Sequence, residues 1–319
     1  FARMAAEGCT HVVMEVSSHA LTLDRVAGVH FQVGTFTNLT EDHLDFHRDM
    51  EDYCDAKGLL FRMCETGCVN ADDPWTARLV KDATCRILRY SAKGGAELRA
   101  KNIALFPSCV EFDAVAGTEQ ARIRLGIPGA FSVYNALGVI QSAQALGIPL
   151  AQIAASLETA KGVKGRAEVV PTPGKDYTVL IDYSHTPDSL ENILNTVRGF
   201  CRGRVIAVFG CGGDRDPFKR PVMGGIAARL ADVAVVTSDN PRTENPDEII
   251  RQIVAGMQGS EPVVIENRPK AIEWALAHAQ KDDVIVLCGK GHETYQEIGH
   301  EKRHLDEREV VASYLERSV

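Results

Sequence analysis

Several features that would assign this sequence to a special class are absent from it. No apolar run approaches the ~18 residues that a membrane-spanning helix needs. The opening residues, FARMAAEGCT, lack the basic region and apolar core of a signal peptide. Basic residues form no run, and the net charge is −8, which argues against a nucleic-acid partner because such binding depends on clustered Lys and Arg. No membrane insertion is expected.

Paired cysteines and phosphate-binding loops are also missing. The nine cysteines are scattered singly, and no second pair follows Cys64 and Cys68 at the spacing of a metal site. An odd number without a framework favours reduced thiols and a cytoplasmic setting. Neither GxxxxGK followed by Ser or Thr nor GxGxxG occurs. If the protein uses ATP, the cradle for its phosphates is therefore expected outside this sequence.

What is present is the composition of a globular protein with about two domains. The 319 residues are 45% apolar and 24% charged, values typical of folded chains. The polar stretch KGVKG at 161–165 is a candidate boundary, which predicts domains at 1–164 and 165–319. The sequence begins at Phe1, close to an expected buried strand at 11–16, so we expect it to be the C-terminal part of something longer.

The apolar pattern differs between the two predicted domains. The first is expected to contain strands at 11–16, 29–36, 86–90, 100–106, 109–115 and 121–125, and helices at 49–63, 131–146 and 150–159. The second is expected to alternate strands at 177–181, 205–209, 233–236, 263–266 and 284–287 with helices at 187–200, 221–230, 246–257 and 269–279. Short apolar strands alternating with helices indicate an α/β fold with a doubly wound, mostly parallel sheet.

Polar clusters follow four of the five strands in the second predicted domain. They are DYSH at 182–185, GCGGDRD at 210–216, TSDNPRTENP at 237–246 and GKGHE at 289–293. Carboxyl ends of parallel strands lie along one sheet edge, so these loops should converge on one crevice. An Arg fork binds a carboxylate and an Asp binds an ammonium, so Arg242 and Asp239 are suited to an amino acid. Taken alone, TSDNPRTENP is equally a capped turn.

Two polar stretches in the first predicted domain suggest a cation site. Glu15 lies in EVSSH at 15–19, and His43 lies in TNLTEDHLDFH at 37–47, each after a predicted strand. Glu15, His43 and the neighbouring hydroxyls could bind a hard cation such as Mg2+. His43 and His47 are four residues apart, which also permits zinc, although the HExxH pattern is absent.

These motifs, in this order, resemble the Mur ligase family. The similar stretches are MEVSSHAL (14–21), FTNLTEDHLDFH (36–47), YCDAKGLLF (53–61), GRAEVV (165–170), IDYSHTPDSL (181–190), FGCGGDRD (209–216), KRPVMG (219–224), TSDNPRTENP (237–246) and GKGHETYQ (289–296). The family has an N-terminal UDP-substrate domain, a central ATPase domain and a C-terminal Rossmann-like domain. The resemblance implies a partial central P-loop-type ATPase domain, without its P-loop, followed by the whole Rossmann-like domain.

The resemblance also implies an activity. It indicates an ATP-dependent amide ligase of peptidoglycan biosynthesis, cytoplasmic and monomeric, that works with Mg2+. The substrates would be UDP-N-acetylmuramoyl-L-alanyl-D-glutamate and meso-2,6-diaminopimelate, joined through an acyl phosphate. The DNPR form of the loop is the one that accepts diaminopimelate, because Arg242 meets its distal carboxylate. Lysine lacks that carboxylate, so an Arg there would exclude it.

Residue roles follow from the same resemblance. The expected catalytic residues and metal ligands are Glu15, His43 and Lys57, the last as a carbamate. The expected ATP contacts are Asn135, Arg166, Asp182 and His185. The expected contacts to the UDP-linked substrate are Ser17 and Arg25, and those to the incoming amino acid are Arg215, Asp239, Asn240, Pro241, Arg242, Gly289 and Glu293. The sequence departs from the family pattern at Leu23, where Gln is frequent, and at Ser132, where Asn is common.

Other functions remain open at this point. A lysine-adding relative, a ligase that adds D-alanyl-D-alanine and folylpolyglutamate synthetase share the ATPase pattern but not DNPR. A non-catalytic amino-acid-binding module would bind a ligand without releasing ADP, and it gives no reason for the polar cluster of Glu15 and His43. A zinc hydrolase is a further alternative that metal analysis would test.

Overall fold

The computed structural model describes residues 1–40 and 46–317. The chain divides into two compact units: residues 1–101, 114–121 and 134–153 form the first, and residues 102–113, 122–133 and those from 154 onward form the second. Between residues 101 and 154 the chain passes several times from one unit to the other, so no single position separates the two units. The boundary at 164 and 165 stays a prediction. No helix in the described ranges is long and apolar enough to cross a membrane.

The first six strands form one sheet. In spatial order they are β1 (Phe31–Phe36), β2 (Cys64–Asn70), β3 (Arg86–Ser91), β4 (Leu98–Leu105), β5 (Val110–Ala116) and β6 (Glu119–Leu125). The pairs β1–β2, β2–β3 and β3–β4 are parallel. Strand β2 was not predicted, because its sequence CETGCVN carries only scattered apolar residues, yet its second half is buried.

Within the described residues, six helices accompany this sheet. They are α1 (Ala2–Ala6), α2 (Ser18–Thr22), α3 (Met50–Gly58), α4 (Thr76–Leu79), α5 (Ala130–Ala145) and α6 (Leu150–Glu158). Helix α3 begins after Asp49, whose carboxylate accepts a hydrogen bond from the Asp52 backbone amide at 2.7 Å, and it continues into a 3-10 turn at Leu59–Arg62. Tyr53 and Phe61 of this segment pack in a buried cluster with Phe36 of β1.

The strand predicted at 11–16 is wrong. This segment is extended coil, and Val13 is 99% exposed. An apolar run becomes a strand only when a neighbour satisfies its backbone groups. Strand β1 lies at the edge of the six-stranded sheet, and no described strand pairs with residues 11–16. The polar stretch at 15–19 therefore does not follow a strand.

The second sheet confirms the doubly wound α/β fold. Its strands are β7 (Glu168–Val170), β8 (Thr178–Asp182), β9 (Val205–Phe209), β10 (Val233–Val236), β11 (Val263–Val264) and β12 (Val284–Cys288). The spatial order is β11, β10, β9, β12, β8, β7, and all neighbours are parallel except β7, which runs antiparallel to β8. The carboxyl ends of five strands therefore share one edge.

Helices cover both faces of this sheet. They are α7 (Pro187–Arg198), α8 (Lys219–Leu230), α9 (Pro246–Val254), α10 (Arg268–His278) and α11 (Glu307–Arg317). Side chains alternate along β9: Ala207 packs with α7, α8 and α9 on one face, whereas Ile206 and Val208 pack with α10 and α11 on the other. Burial on both faces explains why the strands are continuous apolar runs.

Three elements near the C-terminal end were not predicted: two strands and a helix. Strands β13 (Tyr295–Ile298) and β14 (Glu301–His304) form an antiparallel hairpin, and α11 follows it. The hairpin sequence is largely polar, so period-2 alternation is not visible. Gly299 turns the hairpin with φ 60°, a backbone conformation that glycine adopts without cost.

Candidate functional site

The four polar loops of the second unit meet at the carboxyl edge of its sheet. The Gly213 backbone amide donates to the Asn240 carbonyl at 2.9 Å, which joins the loop after β9 to the loop after β10. Gly289, with φ 111°, lies so close to Asp239 that an added Cβ would collide with the carboxylate. Glycine is therefore required where β12 ends, and the expected convergence of these loops is confirmed.

A buried lysine ties two of these loops together. Lys290 is completely buried, and its Nζ donates to Asn240 Oδ1 at 2.7 Å and to Glu293 Oε2 at 3.0 Å. Asn240 Nδ2 also donates to Glu293 Oε2 at 3.0 Å. The three side chains satisfy one another, which fixes the Glu293 carboxylate at the end of β12.

Arg242 is held from two sides. Its Nε donates to Glu297 Oε2 at 2.9 Å, and one terminal nitrogen donates to the Gly213 carbonyl at 2.7 Å. The backbone adds two bonds: the Arg242 amide donates to the Glu297 carbonyl at 3.1 Å, and Gly299 donates back to Arg242 at 2.7 Å. With φ 50° and a side chain 22% exposed, Arg242 presents a fixed guanidinium edge to solvent.

Behind these loops lies a second arginine, which is completely buried. Arg268, at the start of α10, donates to Glu307 Oε1 at 2.9 Å and to the carbonyls of Cys288 at 2.7 Å and Ser238 at 3.4 Å. It also lies 4.0 Å from Asp239 Oδ2. Burial raises the pKa of Glu307, although Arg268 beside it acts in the opposite direction.

A second buried arginine shapes the glycine-rich loop after β9. Arg220 forms a bidentate pair with Glu244, both contacts at 2.9 Å, and donates to the Gly212 carbonyl at 3.3 Å. The Asp214 backbone amide donates to the same Glu244 carboxylate at 2.6 Å. By contrast, Arg215 is exposed, and its guanidinium donates to the carbonyl of the neighbouring Asp214 at 3.3 Å.

In the loop after β8, the carboxylate of Asp182 forms hydrogen bonds that hold the neighbouring residues in place. Asp182 is buried, and its carboxylate accepts from the Ala167 amide at 2.8 Å and from the Ser184 hydroxyl. Arg166 is exposed and lies 5.5 Å from the Tyr183 ring centroid. His185 is also exposed, with Nδ1 2.8 Å from the Tyr183 carbonyl. Arg166 and His185 are therefore accessible to a ligand, whereas Asp182 organises the loop.

The residues expected to contact the UDP-linked substrate lie on either side of α2 in the first unit, with Ser17 half-buried and Arg25 exposed. Ser17 caps α2, its hydroxyl accepting from the Ala20 amide at 3.1 Å. Arg25 is exposed in the turn after that helix, and Leu23 beside it is 50% exposed. Asn135 is exposed on α5. Ser132 is buried instead, donating to the Pro128 carbonyl at 2.9 Å.

The expected metal ligands are only partly described. Glu15 is exposed in the coil before α2, and His43 lies outside the described residues. Lys57 is half-buried in the last turn of α3, with Nζ 5.0 Å from the Tyr53 ring centroid. His47 is buried, with Nε2 2.9 Å from Ser18 Oγ and Nδ1 3.6 Å from the Asp52 carboxylate.

The donor chemistry decides which cation fits. Across residues 1–40 and 46–317, no three His, Cys, Asp or Glu side chains lie close enough to hold a metal. Glu15 supplies one carboxylate, a ligand that Mg2+ prefers. An unmodified Lys57 ammonium would repel the ion, whereas a carbamate at Nζ would supply oxygen ligands. Glu15 is therefore the one oxygen ligand that the expected set contributes among the described residues, and these residues do not complete a Mg2+ site by themselves.

The sequence pattern predicts no role for three residues that hold the loops after β10 and β12. Lys290 lies inside the GKGHE motif, and its burial between Asn240 and Glu293 gives it a bonding role. Arg268 precedes Pro269 directly, which marks a helix start but not burial. Glu297 lies in the polar hairpin, where nothing in the sequence pattern indicates a contact with Arg242.

Comparison with known families identifies the class of protein to which this fold and these loops belong. The chain matches the Mur ligase middle domain over residues 1–143 and the Mur ligase glutamate ligase domain over residues 165–291. The chain belongs to the Mur ligase family, whose members are ATP-dependent ligases that form carbon–nitrogen bonds.

Within this family, the chain is similar to ligases of one particular name. The chain is 48% identical over 321 residues to a UDP-N-acetylmuramoyl-L-alanyl-D-glutamate--2,6-diaminopimelate ligase of Caldanaerobacter subterraneus, covering 100% of this chain and 66% of the relative. It is 46% identical over 316 residues to such a ligase of Clostridium acetobutylicum, covering 99% and 66%. A solved structure of a ligase of the same name has a TM-score of 0.78 at 31% identity, covering 98% of this chain and 66% of that one. The chain thus spans just under two thirds of the length of these relatives.

Proposed function

We propose that the protein is the ligase that adds meso-2,6-diaminopimelate to UDP-N-acetylmuramoyl-L-alanyl-D-glutamate in peptidoglycan biosynthesis. The observation that carries the proposal is Arg242, which Glu297 and Gly213 hold in the loop that also carries Asp239. The loops after β9, β10 and β12 are together called the amino-acid pocket. The names of relatives 46% and 48% identical over nearly the whole chain support it.

Both signs of charge in the pocket suit the proposed amino acid. Diaminopimelate carries a carboxylate and an ammonium at each end. Arg242 has a fixed guanidinium edge for the distal carboxylate, because Glu297 and Gly213 hold the rest of the side chain. Asp239 and Glu293 are acceptors for an ammonium. A lysine substrate would instead place its side-chain ammonium beside the Arg242 guanidinium, and the repulsion between the two cations favours diaminopimelate.

The remaining assignments belong to the same proposal. Arg166, His185 and Asn135 are exposed and would contact ATP, and Asp182 would hold the loop that carries the first two. Ser17 and Arg25 would contact the UDP-linked substrate. Arg215 would complete the amino-acid pocket beside Pro241. We place a monomeric enzyme in the cytoplasm, where ATP and UDP-linked precursors are available.

The proposed reaction is amide formation driven by ATP. The glutamyl carboxylate attacks the γ-phosphate, which gives an acyl phosphate and ADP. The amine of diaminopimelate then attacks the acyl carbon, loses a proton and displaces phosphate. Bound Mg2+ would supply charge neutralisation for the phosphates, and Glu15, His43 and carbamylated Lys57 would hold it. The pocket residues orient the amine, which lowers the entropic cost of the second step.

The test compares Arg242→Ala with Arg251→Ala, a surface substitution on α9. In the full-length protein, we expect Arg242→Ala to lower kcat/KM for diaminopimelate by about a hundredfold, the effect of one buried charge-assisted contact, without changing KM for ATP. Arg251→Ala should behave as wild type. Equal activity of the two variants would refute the pocket assignment. ADP release with D-alanyl-D-alanine or lysine in place of diaminopimelate would instead identify another Mur-type ligase.

A further inference from the structure

The buried Arg268 lies where two ligand loops and the last helix meet. Its guanidinium contacts the Ser238 carbonyl of the loop after β10, the Cys288 carbonyl at the end of β12, and the Glu307 carboxylate at the start of α11. Ser238 directly precedes Asp239, and Cys288 directly precedes Gly289. One side chain therefore fixes the backbone on which both halves of the pocket begin.

Among the described residues, Glu307 is the only carboxylate within hydrogen-bond distance of the Arg268 guanidinium. Both side chains are 0% exposed, and their nitrogen and oxygen atoms are 2.8 Å apart. Asp239 is the second carboxylate near Arg268, at 4.0 Å, and it faces the pocket. A buried guanidinium that loses its partner must find another anion or leave the interior. Without Glu307, the nearest carboxylate that Arg268 can reach is Asp239.

Resting on the proposed function, we propose that Arg268 and Glu307 form a buried positioning pair for the amino-acid pocket. The pair sets the spacing between the loops after β10 and β12. It also keeps the Asp239 carboxylate available to the ligand, because Glu307 neutralises Arg268 from the opposite side. Neither residue touches the ligand; both act through Asp239 and Gly289.

The close packing of the two loops makes their spacing critical. Gly289 leaves no room for even a Cβ beside the Asp239 carboxylate. A shift of Asp239 toward Arg268 would therefore change the gap between Asp239 and Gly289 directly. Lys290 and Asn240, which follow these residues, are bonded to each other at 2.7 Å, so the displacement would reach Glu293 as well.

The second sheet offers a matched control pair. Arg204 and Asp283 form an ion pair with a buried carboxylate, with nitrogen and oxygen 2.6 Å apart, Asp283 2% exposed and Arg204 35% exposed. These residues lie where β9 and β12 begin, at the opposite edge from the pocket. Asp283→Asn therefore removes a buried charge from the same sheet without touching the ligand loops.

The experiment compares Glu307→Gln with Asp283→Asn in the full-length protein, with Arg268→Lys as a second variant that retains charge should Glu307→Gln fold poorly. The first readout is hydrogen exchange without ligand. We expect exchange at 238–242 and 289–293 to rise by about tenfold in Glu307→Gln and to stay unchanged in Asp283→Asn. The second readout is the dissociation constant for meso-2,6-diaminopimelate, measured by calorimetry, which should rise by about tenfold only in Glu307→Gln.

Arg268→Lys should show the same pattern with a smaller rise, since lysine keeps the charge but cannot reach three acceptors at once. Wild-type exchange at both loops in Glu307→Gln and Arg268→Lys would overturn the inference, as would an equal rise in Asp283→Asn. If wild type does not bind diaminopimelate, the proposed function fails separately, and the exchange measurement still decides the role of the pair.

Discussion

The loops after β10 and β12 in the second unit present their candidate ligand-binding residues differently from the coil and turn around Glu15 and Arg25 in the first unit. In the second unit, Asp239, Asn240 and Lys290 are buried and bonded to one another or to neighbouring loops. In the first unit, Glu15 and Arg25 are exposed on coil and turn. One group of side chains is oriented by the protein itself, whereas the other has its polar atoms in solvent.

This difference follows from where each group lies in the fold. The loops of the second unit end parallel strands buried on both faces, so every polar atom that enters the edge must find a partner. Residues 11–16 of the first unit pair with no described strand, so no sheet edge holds Glu15 in place. Substitutions in the pocket should therefore change stability and binding together, whereas substitutions of the exposed group should change activity alone.

The largest effect is expected at Lys57, which we propose to act as a carbamate. Lys57→Ala in the full-length protein should lower kcat by about a thousandfold, because the metal would lose one ligand and its fixed position. The midpoint of thermal unfolding should change little, because Lys57 is only half-buried over the Tyr53 ring. Turnover with ADP release and differential scanning calorimetry provide the two measurements.

The control for this prediction is Lys81→Ala, in the same unit. Lys81 forms an exposed pair with Asp55 at 3.0 Å, so its loss should leave activity unchanged. A short-chain carboxylate such as acetate should partly restore Lys57→Ala but not other inactive variants. Full activity of Lys57→Ala without added carboxylate would remove the carbamate from the proposal.

At Gly289 we expect a smaller effect, which changes both ligand affinity and stability. Gly289→Ala adds a methyl group that collides with the Asp239 carboxylate, and it forces φ 111° on a residue with a side chain. We expect the affinity for diaminopimelate to fall by about thirtyfold and the free energy of unfolding to fall by about 2 kcal/mol. Calorimetric titration and urea unfolding test both.

Gly174→Ala separates backbone strain from collision. Gly174 has φ 73° but no heavy atom within 4 Å of an added Cβ. It should therefore lose about 1 kcal/mol of stability from strain alone, with no change in affinity. If Gly289→Ala lowered stability without weakening binding, the distinction between the two units would no longer hold.

The sequence predicted the second unit far better than the first. The apolar runs of β9 and β10 were assigned with their observed bounds, and Pro187 and Pro246 open α7 and α9 as expected. The strand expected at 11–16 fails because a strand depends on a neighbour, which a local pattern does not reveal. Arg268 and Glu297 could not be found either, because their roles depend on contacts between distant segments.

The smallest expected effect belongs to the edge of the second sheet away from the pocket. Burial acts to raise the pKa of Asp283, but hydrogen bonds from the Arg204 guanidinium and from the amides of Arg204 and Gln280 outweigh it and hold that pKa below its usual value. A depressed pKa means that the ionised carboxylate stabilises the folded state above the unfolded pKa of about 3.9. This stabilisation is lost as the pH falls through the folded pKa.

Asp283→Asn should therefore lower the free energy of unfolding at pH 7 by about 1–2 kcal/mol. Its difference from wild type should shrink as the pH falls below about 4. Urea unfolding at pH 7, 5 and 3 measures this pH dependence, and the affinity for diaminopimelate should stay at the wild-type value throughout the range in which both proteins are folded. A buried charge at this edge then contributes stability only, whereas the Glu307 charge at the carboxyl edge contributes both stability and pocket geometry. If Asp283→Asn weakened ligand binding as much as Glu307→Gln, the two edges of the sheet would be mechanically coupled, and burial alone would explain the effect of both charges.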